Sequence, residues 1–438
     1  MLYTYNIKSK QEKGLFEMKK IISCVCAAVM GLSYLTFTGC GNNSVDDGKM
    51  RRNMTAVEYA ADMGLGINLG NTMDAYYADT NAACAGSSNM GDSITSYETC
   101  WGAIKTTQEI ISGMKSEGFN TVRVPVYWGN GMVNDGKFNI TDAMFDRVQE
   151  IIDYAREADM YVVINVHHYD EFLVKKYSEE QVLKITNKIW TQIAEHYKNY
   201  SDYLIFEGFN ENLGTVREGD SYTDDEKFDY VNKMNQTFVD AVRATGGNNK
   251  TRLLIASGYW TNIDLTTDER FKMPTDSAEN KLMVSVHYVD NAMYWTNRIG
   301  GQAWLDYSKE QCELLKKAFT DKGIPVFVGE CTSIYEDERF AADATHTDST
   351  ECLSIMYDMM LDYGFVPVLW DVNKNFYSRT EYRINSDSDR ALIAELSKEL
   401  GEKNAEKTAA LFPLHILLVW YNSSKWQNSK LTESEDIK

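Results

Sequence analysis

Two glutamates in this sequence stand where apolar runs turn polar. Glu211 closes Leu204-Ile205-Phe206-Glu207-Gly208-Phe209-Asn210-Glu211, and Glu330 closes Pro325-Val326-Phe327-Val328-Gly329-Glu330. One glutamate at such a place is ordinarily a solvated loop residue. Two brought to one cleft can hydrolyse a glycosidic bond: one acid protonates the leaving oxygen, and the other carboxylate attacks the anomeric carbon or activates water. Other runs end on Asn68 and Asn71, Arg123, His167 and His168, Asn210, His287 and Tyr288, and Trp370 and Asp371. Arg123 lies inside Thr121-Val122-Arg123-Val124-Pro125-Val126 and must be paired if buried. It either closes a core ion pair or holds a carboxylate ionised. Trp370 either fills core or offers a flat face to a pyranose ring. His167-His168 suggests a metal, but neighbours on a strand point to opposite faces. No H-E-x-x-H helix supports them, so no metal site is expected.

These side chains need a frame that gathers the run ends. The runs cover residues 64–69, 120–126, 161–167, 203–209, 252–257, 282–287, 325–330 and 365–370. Amphipathic segments at 107–117, 142–158, 179–197, 225–244 and 304–322 lie between them. In 142–158 the apolar positions Met144, Phe145, Val148, Ile151, Ile152 and Ala155 keep the three-four spacing of one helix face. The runs themselves are nearly continuous in apolar character, as parallel strands covered on both sides must be. The alternation predicts an α/β fold, a single (β/α)8 TIM barrel over residues 54–400, with a doubly wound open sheet as the other candidate. Catalytic side chains in such a barrel come from the carboxyl ends of the strands.

The flanks read differently. Met18-Lys19-Lys20 followed by an apolar stretch to Phe37 has the pattern of an export signal, so residues 1–39 are read as a signal segment starting at Met18. Gly39-Cys40 is similar to a lipoprotein cleavage box, which makes Cys40 the expected lipidation site and the membrane a partner through that lipid; plain secretion and an uncleaved anchor are the alternatives. Residues 40–53 read as a polar tether, and 401–438 as an extension of unknown role containing the apolar stretch 411–420. The five cysteines Cys84, Cys100, Cys312, Cys331 and Cys352 form no C-x-x-C pair, and Cys84–Cys100 is the bridge their shared polar stretch suggests. The 438 residues carry 44 Lys plus Arg against 64 Asp plus Glu, a net charge of −20. Such a surface repels phosphate backbones and argues against nucleic acid as a partner. Aromatic residues reach 12%, enough to line a carbohydrate cleft.

Six segments resemble family 5 glycoside hydrolases. They are Gly66-Ile67-Asn68-Leu69-Gly70-Asn71-Thr72-Met73-Asp74-Ala75, Trp101-Gly102, Gly118 to Val126, Asn165-Val166-His167-His168, Phe206 to Glu211 and Val328-Gly329-Glu330. More narrowly they are similar to the bacterial subfamily of endo-β-1,4-glucanases that also holds xyloglucanases and lichenases. The resemblance implies a retaining β-glucan hydrolase on a (β/α)8 barrel, with no metal or organic cofactor; a monomer is expected. It makes Glu211 the acid/base, Asn210 a partner of the sugar 2-hydroxyl, and Glu330 the nucleophile oriented by Arg123. It places His167 and His287 in the pocket and Trp370 under the reacting sugar, with Asn71, His168 and Tyr288 as further substrate-binding candidates. Xyloglucan, mixed-linkage glucan, mannan or xylan remain alternative substrates, and a non-catalytic carbohydrate-binding barrel the alternative class. Two positions depart from the family pattern. Val289 stands where a tyrosine usually meets the nucleophile, two residues after His287, and Asn212 replaces a proline after Glu211. Strand alternation aims Tyr288 elsewhere unless a bulge intervenes.

Overall fold

Each of the eight apolar runs becomes a parallel strand in the computed structural model, and the eight close on themselves. The structure describes residues 45–76, 93–132, 135–214, 222–331, 339–373 and 376–406. The signal segment with Cys40, Cys84 and the stretch 411–420 lie outside them. The strands are β1 (Gly66–Asn68), β2 (Thr121–Val124), β3 (Tyr161–Asn165), β4 (Leu204–Glu207), β5 (Leu254–Ser257), β6 (Leu282–His287), β7 (Val326–Cys331) and β8 (Val366–Leu369). They follow one another round the barrel in chain order, and β1 pairs with β8 to seal it. The register sets Asn68 beside Arg123 and Asn165 beside Glu207. It slips between Val286 and His287, where β6 meets β7.

The helices α1 (Ala56–Met63), α2 (Gln108–Ser116), α3 (Asp142–Glu157), α4 (Glu179–Tyr197), α5 (Asp224–Ala244), α6 (Gln302–Ala318) and α7 (Ser349–Asp362) are followed by α8 over residues 387–406. In α3 the buried face is the apolar stripe that the spacing predicts, joined by Arg147. That charge is tolerated because Glu98 receives it twice, at 2.9 and 2.8 Å. The β5–β6 connection carries a 3-10 turn at Tyr259–Thr261 and the short helix Ile263–Thr267. A small antiparallel hairpin, β9 (Tyr377–Ser378) with β10 (Arg383–Ile384), follows β8.

Apolar packing divides into two shells. Inside the barrel, Tyr161, Val163, Ile205, Ile255, Met283, Phe327 and Val368 form a layer that α1 plugs with Ala56, Tyr59 and Met63. A capping box between Thr55 and Glu58 starts α1. Outside, the strands' other faces pack on the helices.

Within the stretch 40–53, read as a tether, the described residues bond to the barrel. Asp46 accepts from the Ser201 amide and hydroxyl at 2.7 and 2.6 Å and meets Arg156 at 3.0 Å. Arg51 bonds Asp202 at 3.1 Å and Asp62 at 2.7 Å, with its guanidinium 4.6 Å from the Tyr203 ring centre. Polar character here reflects ion-pair partners distant in sequence. At the other end α8 runs past residue 400, and Asn404 donates to the Ala61 carbonyl at 2.7 Å. Cys100 carries a free thiol, and Cys84, its suggested partner, lies outside the described residues. Among the described residues, no helix is long and apolar enough to cross a membrane.

Candidate active site

Arg123, fully buried, is the hub of the strand ends. Its Nε donates to Glu207 Oε2 at 2.7 Å, and its Nη1 to Asn68 Oδ1 at 2.9 Å and Glu330 Oε1 at 3.2 Å. Its Nη2 donates to Asn210 Oδ1 at 2.9 Å. A guanidinium offers its donors in a fixed fork, so this one cation sets the positions of β1, β2, β4 and β7 side chains together. Because Asn210 spends its oxygen on Arg123, its amide N–H groups are left for a ligand. Gly329, before Glu330, is closely packed: a Cβ there would stand 3.1 Å from Ser285 Oγ and 3.3 Å from Glu207 Oε1, so those side chains would have to give.

Glu330 and Glu211 face each other across His287. The imidazole Nδ1 lies 3.6 Å from Glu330 Oε2 and 3.7 Å from Glu211 Oε1, too far for hydrogen bonds to either. Two oxygens so close to one nitrogen cannot be as far apart as roughly 9 Å, the wide end of the inverting arrangement.

Two expectations from strand alternation are corrected here. Alternation points Tyr288 away from Glu330 and leaves Val289 as a real departure. The register slip at Val286/His287 and a left-handed backbone at Tyr288, φ 42°, instead bring its hydroxyl to Glu330 Oε2 at 3.2 Å. Val289 turns into the core, 2% exposed. The tyrosine contact is therefore present, supplied one residue early. Likewise, β3 ends at Asn165, so His167 and His168 lie beyond it; with φ 59° at His168, both line the same cleft.

That cleft, about 650 Å³, is lined by Asn71, Asn210, Glu211, His287, Tyr288 and Glu330 together with indole faces. Every residue singled out from the sequence for the pocket touches it except Arg123, which acts from beneath. Trp370 forms one wall, nearly parallel to the His167 ring at 9°, and its neighbour Asp371 is held by a buried ion pair with Arg379 at 3.2 Å. A Cβ on Gly70 would come 2.9 Å from the Trp370 ring, so the glycine lets the indole sit there. Trp101, Trp260 and Trp295 also line the cleft.

The matched family is "Cellulase (glycosyl hydrolase family 5)", over residues 75–376. The chain belongs to glycosyl hydrolase family 5. Endoglucanase A of Ruminococcus albus is 32% identical over 340 residues, covering 75% of this chain and 87% of that protein. Endoglucanase B of Neocallimastix patriciarum is 34% identical over 300 residues, covering 66% of this chain but only 61% of its own length. A broad-specificity endoglucanase from an uncultured bovine rumen ciliate superposes with a TM-score of 0.67 at 32% identity, covering 79% of this chain and 98% of that one. A family 5 glycoside hydrolase from Prevotella bryantii, in a mutant form complexed with a xyloglucan tetradecasaccharide, superposes at 0.65 with 28% identity, covering 78% and 98%.

At Glu211 the electrostatics of this family 5 cleft oppose the protonated form an acid needs. Burial pushes its carboxyl up, but His287, His168 and Arg123 outweigh burial and hold it below the usual range. With its side chain 38% exposed, that shift belongs to a cleft open to solvent. Burial, aided by His168, Arg123 and His287, pushes His167 well down, so it is neutral. At His168 burial opposes the charge, yet Glu171, Asp74 and Glu211 prevail and raise its pKa.

Asp74, His167 and His168 bring ligand atoms within 4.8 Å of one another. The hydrogen bonds do not suit an ion. Asn165 Oδ1 accepts from the Val126 amide at 3.2 Å, so its NH2 group must face Glu207 at 3.0 Å and His167 Nδ1 at 3.3 Å. His167 thus accepts at Nδ1 and carries its proton on Nε2, presenting a donor rather than a lone pair.

Sequence reasoning gave no role to Glu207, Asn165 and Ser285 under the site, nor to Asp74, Trp101, Trp260 and Trp295 around it. A charge inside a buried run was a readable signal for Glu207, as it was for Arg123.

Proposed function

We propose that this chain is a retaining endo-β-1,4-glucanase in which Glu330 is the nucleophile and Glu211 the acid/base. The observation that carries it is two carboxylates facing one imidazole nitrogen in an open, tryptophan-lined cleft, with one of them bonded to a buried arginine. Glu330, held by Arg123 and Tyr288, attacks C1 of the glucosyl unit and forms an ester while the leaving oxygen takes the proton of Glu211. Glu211 then removes a proton from water, which attacks C1, breaks its bond to Glu330 and releases the sugar with its configuration retained. A sugar filling the cleft displaces the water around Glu211, and that desolvation favours the protonated acid the first step needs. Asn210 is placed to donate to the sugar 2-hydroxyl, and Trp370 to lie against the ring. His167 Nε2–H, His168 and Asn71 serve hydroxyls further along the cleft.

An open cleft fits internal attack on a long polymer. The endoglucanases similar to this chain support glucan as backbone, and the Prevotella bryantii complex makes xyloglucan the principal second substrate to test. The barrel over 54–400 is the proposed catalytic domain. Export under the signal segment and lipid attachment at Cys40 complete the proposal; metabolic palmitate labelling lost in Cys40→Ala would test the anchor.

The deciding experiment compares Glu330→Gln, Glu211→Ala and wild type on carboxymethyl-cellulose, mixed-linkage glucan, xyloglucan, glucomannan and xylan. The reading expects glucan-backbone polymers to be cut internally with retention, and turnover to vanish in Glu330→Gln. Glu211→Ala should retain activity on activated aryl glycosides far better than on polymers. Equal losses on both substrate types would remove Glu211 from the acid/base role.

A further inference from the structure

Arg123 is one cation facing two carboxylates, Glu207 at 2.7 Å and Glu330 at 3.2 Å. Glu207 has no contact with the cleft and is 0% exposed. It is nonetheless fully partnered: Ser285 Oγ donates to Oε1 at 2.7 Å, while Asn165 and Arg123 both donate to Oε2. Three donors from β2, β3 and β6 converge on it, and no acceptor does. That environment suits a carboxylate, which accepts at both oxygens.

We infer that Glu207 is a positioning residue for the chemical step: it takes the shorter half of the Arg123 fork and so limits how strongly that arginine ties up Glu330. The inference rests on Glu330 being the nucleophile. A cation bonded to a single carboxylate draws its electron density down and makes it a poorer nucleophile. A cation shared with a second, better-seated carboxylate still orients Glu330, but at 3.2 Å and with its charge largely answered elsewhere. The other ionisable groups around Glu330 are His287 and Tyr288 from β6 and the turn after it, and Glu211 beyond β4. His167, beyond β3, is neutral. None of them touches Glu207, so a change at Glu207 reaches Glu330 through Arg123.

Glu207→Gln fits the same space, with its oxygen toward Arg123 and Asn165 and its NH2 toward Ser285 Oγ, which rotates to accept. The measurement is the pH dependence of inactivation by a 2-deoxy-2-fluoro-β-cellobioside with a dinitrophenolate leaving group, followed by mass spectrometry. Glu330 oxygen bonds to C1 as dinitrophenolate departs; no proton is needed from Glu211, so the profile reports the nucleophile alone. In Glu207→Gln the acidic limb should move to lower pH by about one unit as a like charge is lost. The plateau rate should fall about tenfold, at a Tm close to wild type. Ser285→Ala strips one donor from Glu207 and leaves more of its charge to Arg123, so its limb should move slightly upward. A limb unmoved in Glu207→Gln overturns the inference, as does an unmoved limb in Ser285→Ala if Glu207→Gln fails to fold. Label on a residue other than Glu330 in wild type would instead sink the assignment of the nucleophile.

Discussion

Asp170 sits just past the cleft histidines, 2% exposed among Val166, Leu173, Trp190 and Phe209, and accepts the Leu213 amide at 2.9 Å. That bond holds the turn directly after Glu211. Burial, reinforced by Glu171, pushes its carboxyl up from 3.8 to about 7. A carboxyl whose folded value is raised favours the folded state most at low pH, where both states are protonated. The advantage is lost as pH rises toward 7, because unfolding frees the carboxyl to ionise in water. A rise of this size is worth roughly 4 kcal/mol in all, accrued at roughly 1.4 kcal/mol for each pH unit and flat above about pH 7. Asp170→Asn keeps an oxygen for Leu213 and has no charge to bury. Urea unfolding of both proteins at about pH 5 and about pH 8 gives the test, since every other titrating group cancels in the difference. The asparagine variant should gain roughly 2–3 kcal/mol relative to wild type between those two pH values. A difference independent of pH would mean that Asp170 ionises as freely in the fold as in water, and the burial reasoning would be wrong.

The tyrosine contact gives a paired test. Tyr288→Phe removes a hydrogen bond to a carboxylate, and at 3.2 Å the low end of the usual range applies, about 1.5 kcal/mol, or roughly tenfold in kcat on mixed-linkage glucan. Val289→Tyr, by contrast, pushes a phenol into packed core and should lower stability by about 1–3 kcal/mol with no gain in rate. A rate gain there would restore the idea that the contact is missing. Ending the chain after residue 406 should leave activity and Tm unchanged, whereas ending it at 402 removes the Asn404 bond to Ala61 and should lower Tm by a few degrees.

The strands were legible because parallel strands covered on both faces carry apolar residues at nearly every position, and Glu330, Arg123 and Glu211 were legible because they interrupt that character. The run at 203–209 outlasts its strand by two residues, which hid Glu207: read as one apolar stretch, its charge looked incidental, although the rule applied to Arg123 demanded a partner for it too. What alternation could not supply was the path of the chain beyond a strand's last residue. At His168 and Tyr288 a single left-handed residue reverses the side-chain direction, and no composition signal announces that at a histidine or tyrosine. The ion pairs of Asp46 and Arg51 were invisible for another reason, since Arg156, Ser201 and Asp202 lie more than a hundred residues away.

Those two kinds of legibility follow a division in the site itself. Arg123, Asn68, Asn165, Glu207, Ser285 and Glu330 all lie on strands, buried, and their hydrogen bonds also tie barrel strands together. The cleft wall is built differently: Asn71, His168, Trp260, Thr261 and Tyr288 all hold a positive φ between 42° and 59°. Each such residue costs of order 1–3 kcal/mol and persists only because neighbouring contacts fix it. A change that breaks bonds of the strand set therefore alters chemistry and folding together, whereas an isosteric one such as Glu207→Gln keeps those bonds. The loop set can trade strain for new sugar contacts without touching the barrel, which makes the turns bearing Trp260 and His168 the places where substrate preference can change while Glu330 and its arginine stay as they are.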